Sequence, residues 1–253
     1  LTAFIKRFWG TAQRFRLNID KPIKKRRKPR IKNKISINIS FPHTNNLREV
    51  NRIMMIDMHV HGMAHGEFVF SEEKLSRFLK EAEKKGIKVM GFSEHSWYLK
   101  KIDLGVIDNV KKLFPHIRVC LGLEVDHVPN MDREIIEKIA SLPFDYVIGS
   151  VHEIEGWMFD NPQYADGFKH WDIDALYEKY FSLVGNLIES GIYDVIGHLD
   201  LIKIYGHRPT KRIEDFVVPV LKKAAQRNMI VEINTSGLYK PVKEIYPSFR
   251  ILK

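Results

Sequence analysis

A parallel α/β domain is the fold class this sequence predicts, on three observations. Short apolar runs alternate with amphipathic helical stretches from Ile53 onward. Capping residues open the best helical stretches and glycines close them. Successive apolar runs end in His, Glu or Asp, as strands do when their carboxyl ends build a site.

The strands are read from the apolar runs Ile53–Val60, Val89–Phe92, Val119–Val125, Tyr146–Val151, Val195–Ile196 and Met229–Ile233. Between them, Ser71 can cap a helix whose Leu75, Phe78, Leu79 and Ala82 recur at helical spacing until Gly86. Asp174 is expected to cap another, with Leu176, Tyr180, Val184 and Leu187 on one face and Gly191 as the stop. Asp132 to Ser141 and Glu214 to Arg227 are further helices, the second disturbed by Pro219. No repeat of fixed period is visible.

The net charge of +10 is unevenly spread. Residues 1–52 hold 15 Lys/Arg against Asp20 and Glu49, a local balance of +13, whereas residues 53–253 carry 26 against 29 acids, or −3. Two regions follow: a basic, disordered extension over 1–52 and the folded domain over 53–253. The run "KPIKKRRKPRIKNK" in the extension cannot bury its charge. It could meet nucleic acid or an anionic surface, but the preferred reading is a solvated arm. An Arg-rich, acid-poor leader also raises organelle targeting, which is ranked last. No apolar run approaches the roughly 18 residues of a membrane span, so no membrane partner is expected. Cys120 is the sole cysteine, which rules out an internal disulfide and points to a reducing, cytoplasmic setting. The chain opens on Leu1 rather than Met, so a fragment edge or a misassigned start is expected, with Met54 and Met55 as the natural start of the domain.

The chemistry sits at the strand ends. "HVHGMAH" supplies His59, His61 and His65; "GFSEH" supplies Glu94 and His95; "GLEVDH" supplies Glu124, Asp126 and His127; "IGSVHE" supplies His152; "VIGHLD" supplies His198 and Asp200. In a parallel barrel these ends converge. His59 and His61, two residues apart on a strand, face the same side. Imidazoles and carboxylates clustered in this way suit zinc, iron or manganese. One such histidine alone would read as structural. Five successive strand ends make coincidence a poor account, because so many polar groups would destabilise one another without cations. His43, His116 and His170 are expected to face solvent.

Taken together, "DMHVHG", "GFSEH", "GLEVD", "IGSVH" and "IGHLDLIK" resemble the successive motifs of the polymerase-and-histidinol-phosphatase (PHP) superfamily, in its histidinol-phosphatase-like branch. The resemblance covers about residues 53–253. It implies a distorted (β/α)7 barrel holding two or three divalent ions (Zn, Fe or Mn). It implies His59 and His61 on the first metal, His95 with His65 on the second, His152 and His198 on the third, and Glu124 bridging. Glu67 is the rival to His65. Glu124 and His95 double as catalytic residues. Glu94 stands where many relatives carry Asp, behind the ligands.

The family normally closes with a seventh strand and a "GSDAH"-like motif, and nothing like it follows "EINTSGLYKPVKEIYPS". The barrel is therefore expected to lack its seventh strand and two ligands. The expected activity is a metal-dependent phosphomonoesterase acting on L-histidinol phosphate, the penultimate step of histidine synthesis. Lys203, His207 and Arg208 in "LIKIYGHRPTK" are the candidate phosphate-binding residues. The alternatives are a PHP phosphodiesterase or nuclease, which the basic arm favours, and an inactive metal- or phosphate-binding module.

Overall fold

The computed structural model describes residues 55–253. The expectations for residues 1–52, His43 among them, lie outside the described residues. Among the described residues eight strands form: β1 Met55–Val60, β2 Ile87–His95, β3 Arg118–Asp126, β4 Tyr146–Ser150, β5 Glu153–Ile154, β6 Trp157–Met158, β7 Val195–Ile196 and β8 Ile230–Val231. The helices are α1 Glu72–Lys85, α2 Leu104–Leu113, α3 Asp132–Ala140, α4 Ile173–Ser190, α5 Ile213–Gln226 and α6 Phe249–Leu252. Six strands run in the order β1-β2-β3-β4-β7-β8, and β5 and β6 form a separate antiparallel hairpin. The pairings β1–β2, β4–β7 and β7–β8 are parallel, as strand–helix alternation requires.

Two compact units divide these residues: 55–123 with Lys138–Tyr146, and Glu124–Glu137 with Val147–Lys253. In the first, α1 starts where Ser71 Oγ accepts from the Lys74 N–H and stops at Gly86, which adopts the left-handed conformation (φ 72°). Leu75, Leu79 and Ala82 on its inner face are fully buried. Tyr146 lies against Gly91 of β2 and Gly122 of β3, where a Cβ would fall 2.1 Å from its hydroxyl oxygen and 2.2 Å from its ring carbon Cζ, respectively. Its hydroxyl donates to the Met58 carbonyl of β1. Both glycines therefore make room for one aromatic ring. β1 holds an extra residue between Asp57 and Val60 relative to Met90–Phe92 of β2. This irregularity falls at His59 and re-aims the end of the strand.

In the second unit, α4 is capped by Asp172, whose carboxylate accepts from the Ala175 N–H at 2.9 Å, and ends at Gly191 (φ 67°). Asp174 is not the cap. It lies inside the first turn, and its carboxylate accepts from the Thr210 and Lys211 N–H groups of a distant loop. Both aspartates fit the cap motif by spacing, and the loop contact decides between them. Pro219 sits within a continuous α5. The carbonyl it leaves without an N–H, that of Asp215, belongs to a solvent-exposed residue, so water can satisfy it. The long, buried face of α4, including Tyr177, Tyr180, Val184 and Leu187, supplies much of this unit's core. The apolar run at 229–233 forms only a two-residue strand, and α2 and the β5–β6 hairpin were not anticipated.

Candidate metal centre

In the first unit the ends of β1 and β2 bring four imidazoles together. His59 and His61 lie with ring centroids 5.1 Å apart. His61 stacks on His95 at 4.5 Å, and His65 lies 4.7 Å from His61 and 5.4 Å from His95. His61, His65 and His95 each offer a ring nitrogen within 4.8 Å of the others. Three imidazoles at that separation form a donor set that fits zinc or another borderline divalent ion.

The backbone is bent to achieve this. Ala64 (φ 46°) and His65 (φ 59°) adopt left-handed conformations in a 3-10 turn, at a cost of about 1–3 kcal/mol each. Glu94, fully buried, accepts from the Met63 N–H at 3.0 Å and stands 3.9 Å from His61 Nδ1. It thus ties the turn to β2. Tyr98 donates its hydroxyl hydrogen to the His65 carbonyl. Glu67 is exposed and joins none of the donor groups among the described residues. The structure therefore brings His65, not its rival, to His61 and His95.

In the second unit Glu124, at the end of β3, is 1% exposed. Its Oε1 accepts from Ser150 Oγ at 2.7 Å and lies 3.0 Å from His198 Nε2 and 3.7 Å from His152 Nε2. Asp126, two residues on and hence on the same side of the strand, holds His152 Nδ1 at 2.6 Å. Burial opposes charge on His152, but Asp126, Glu124 and Asp160 outweigh it and push the imidazole up to about 9. Burial raises the Asp160 carboxyl, with His152 and His198 pulling against it. Glu232, just past β8, accepts from the His198 backbone N–H at 2.8 Å. These imidazole and carboxylate donors also fit a divalent ion, with Asp126 orienting one ligand from behind, as carboxylates do for metal-bound histidines.

The remaining sequence candidates lie near the turn after β7. Lys203 is 2% exposed, and its ammonium reaches Asp200 (2.8 Å), the Ile245 carbonyl (2.7 Å) and Glu244 (3.3 Å). Arg208 is at the surface, paired with Glu244 at 2.9 Å. His207 stacks on Phe168 at 4.5 Å. His127 is buried against the Tyr193 hydroxyl, while His116 and His170 are exposed as expected. Sequence reasoning named Asp126 among the strand-end residues without assigning it a task, and had no role for Ser150, Asp160 or Glu232. Only Asp126 carried a readable signal, its i+2 spacing from Glu124.

The PHP domain family model matches residues 57–236. The chain belongs to the PHP domain family. As a PHP domain it is 38% identical over 130 residues to a Deinococcus radiodurans protein named as a histidinol-phosphatase, covering 51% of this chain and 49% of that protein. The chain thus spans about half the length of that curated relative. It is 27% identical to the histidinol-phosphatase of Lactococcus lactis, over 76% of each. Among solved structures, a Listeria monocytogenes protein named as a histidinol phosphatase superposes with a TM-score of 0.63 at 18% identity, covering 78% of this chain and 89% of that one. The Lactococcus lactis enzyme, solved with Zn, L-histidinol and phosphate, gives 0.55 at 24% identity over 72% and 73%. These likenesses show the fold: a distorted (β/α) PHP barrel, whose main sheet has six strands and no seventh among the described residues. No helix of the described residues is long and apolar enough to cross a membrane.

Proposed function

We propose that the chain is a metal-dependent phosphomonoesterase of the histidinol-phosphatase type, converting L-histidinol phosphate and water to L-histidinol and phosphate. The observation that carries this reading is the pair of donor clusters, His61–His65–His95 and Glu124–His152–His198, each at strand ends of a PHP domain. The names of the relatives support the substrate, and the zinc of the Lactococcus lactis structure supports the metal.

His59 and His61 are assigned to one ion, His65 and His95 to a second, His152 and His198 to a third, with Glu124 as the carboxylate shared between ions. Two or three divalent cations held by these groups would supply Lewis acidity at the phosphoryl oxygens and ready deprotonation of water. The protein's part is placement. Ser150 fixes one oxygen of Glu124, and Asp126 fixes the ring of His152, so the ligands are pre-organised before substrate arrives. Glu124 and His95 are the residues assigned to face the reacting phosphate. Arg208 is assigned to grip two phosphate oxygens, for which its planar fork is suited. His207 and Lys203, from the same turn, are the further candidates for binding the phosphate. The domain is assigned to residues 53–253 and a cytoplasmic setting, and the basic extension to a dispensable arm for which nucleic acid is the less favoured partner.

Phosphate release from L-histidinol phosphate after zinc or manganese loading tests the reading. Turnover restricted to a phosphodiester such as bis-p-nitrophenyl phosphate would replace it with a phosphodiesterase, and zinc binding without any turnover with a binding module.

A further inference from the structure

Immediately after His95 the chain enters a 3-10 segment, Ser96–Lys101, and its first aromatic residue does not go inside. Trp97 is 53% exposed. One face of its indole is covered: it stacks on His95 with ring centroids 4.1 Å apart and planes 11° from parallel. His95 stacks in turn on His61 at 4.5 Å and 12°. The three rings form one column that begins in the imidazole cluster and ends in an indole open to solvent. The next residue anchors the segment, since Tyr98 bonds the His65 carbonyl and lies edge-on to Trp97 at 6.0 Å. The described tryptophans Trp157 and Trp171 behave differently, covering each other within an aromatic group with Phe168.

A large indole left half in water, yet held flat by stacking on one face, is a prepared surface for another ring. Its chemistry selects the occupant. The face of an indole is electron-rich and apolar, so it takes a planar heteroaromatic ring, and more strongly one that can carry positive charge. An imidazole meets both conditions.

We propose that Trp97 is a specificity-determining residue whose open indole face receives the flat heteroaromatic ring of the substrate's leaving group beside the His61–His65–His95 cluster. This rests on the phosphomonoesterase reading and adds the residue that selects its substrate. The indole touches the leaving group alone, so aliphatic phosphomonoesters lose this contact and keep those to the phosphate.

The experiment measures binding apart from turnover. L-histidinol and L-leucinol, which share the amino-alcohol and differ in the ring, are titrated by calorimetry into the zinc-loaded full chain and its Trp97→Leu and Trp97→Phe variants. Zinc content is measured for each by mass spectrometry. The wild type is expected to prefer L-histidinol by about tenfold. Trp97→Leu removes that preference, and Trp97→Phe retains most of it. An equal affinity for the two alcohols in the wild type overturns the proposal, as does a preference unchanged in Trp97→Leu. A fall in zinc content with both alcohols weakened alike also overturns it, leaving Trp97 as a positioning residue for His95. Failure of the phosphatase reading is seen separately, as absent phosphate release from a wild type that still prefers L-histidinol.

Discussion

Asp126 Oδ1 lies 2.6 Å from Nδ1 of His152, and the other nitrogen of that ring faces Glu124. The carboxylate therefore fixes which edge of the imidazole is offered as a ligand. Asp126→Asn keeps the shape and removes the charge. It is expected to weaken zinc binding about 10- to 100-fold. Competition against a chelating dye measures this, and an unchanged affinity would remove Asp126 from the metal centre.

Glu124 should be the more damaging ligand to lose. Its Oε1 is within 3.0 Å of His198 Nε2 and 3.7 Å of His152 Nε2, so Glu124→Gln strips the anionic donor from a group of imidazoles. His198→Ala removes one neutral donor. Zinc content and kcat for phosphate release are expected to fall further in Glu124→Gln than in His198→Ala. Full occupancy with near-normal turnover in Glu124→Gln would reduce Glu124 to a supporting residue.

Tyr146 sets a steric test of the first unit. A methyl group at Gly122 would fall 2.2 Å from the Tyr146 ring, and the ring is tied down through its hydroxyl to the Met58 carbonyl. Gly122→Ala is expected to destabilise the protein by about 1–3 kcal/mol or more. Tyr146→Phe, which loses only the hydrogen bond, should cost about 1 kcal/mol. Urea denaturation ranks the two, and the reverse order would show that the ring yields easily.

Cys120 should be inert in the folded protein. Burial, then the neighbouring Asp145 carboxylate, push its thiol up to about 11, with Arg118 pulling the other way, and the residue is 1% exposed. A raised value favours the neutral thiol, so at pH 8 only about one molecule in a thousand holds the reactive thiolate. Reaction with an aromatic disulfide reagent at pH 8 is expected to be negligible until guanidinium unfolds the chain. Stoichiometric reaction under native conditions would contradict this burial.

Much of the molecule was legible from local pattern. The strand ends were readable because a buried apolar run that stops at His or Glu announces itself within a few residues. Ser71, Gly86 and Gly191 announced helix boundaries because capping is settled within one turn. The motifs "DMHVHG", "GFSEH" and "IGHLD" placed the donor residues in chain order before any geometry was known.

Tertiary structure decided what depends on residues far apart in the chain. Asp172 rather than Asp174 caps α4 because Asp174 is engaged by the Thr210–Lys211 backbone, 36 residues on. His65 rather than Glu67 meets His61 because a left-handed turn, held by Glu94 and Tyr98, swings it there. The buried Lys203 spends its ammonium on Asp200, Glu244 and the Ile245 carbonyl, which a basic loop in the sequence did not disclose. Trp97, one aromatic among 28 in the sequence, is singled out only by the ring it stacks on. A sequence determines which donors stand at a strand end, because spacing along one strand is local geometry. Which donor meets which partner is set by chain segments brought together only on folding.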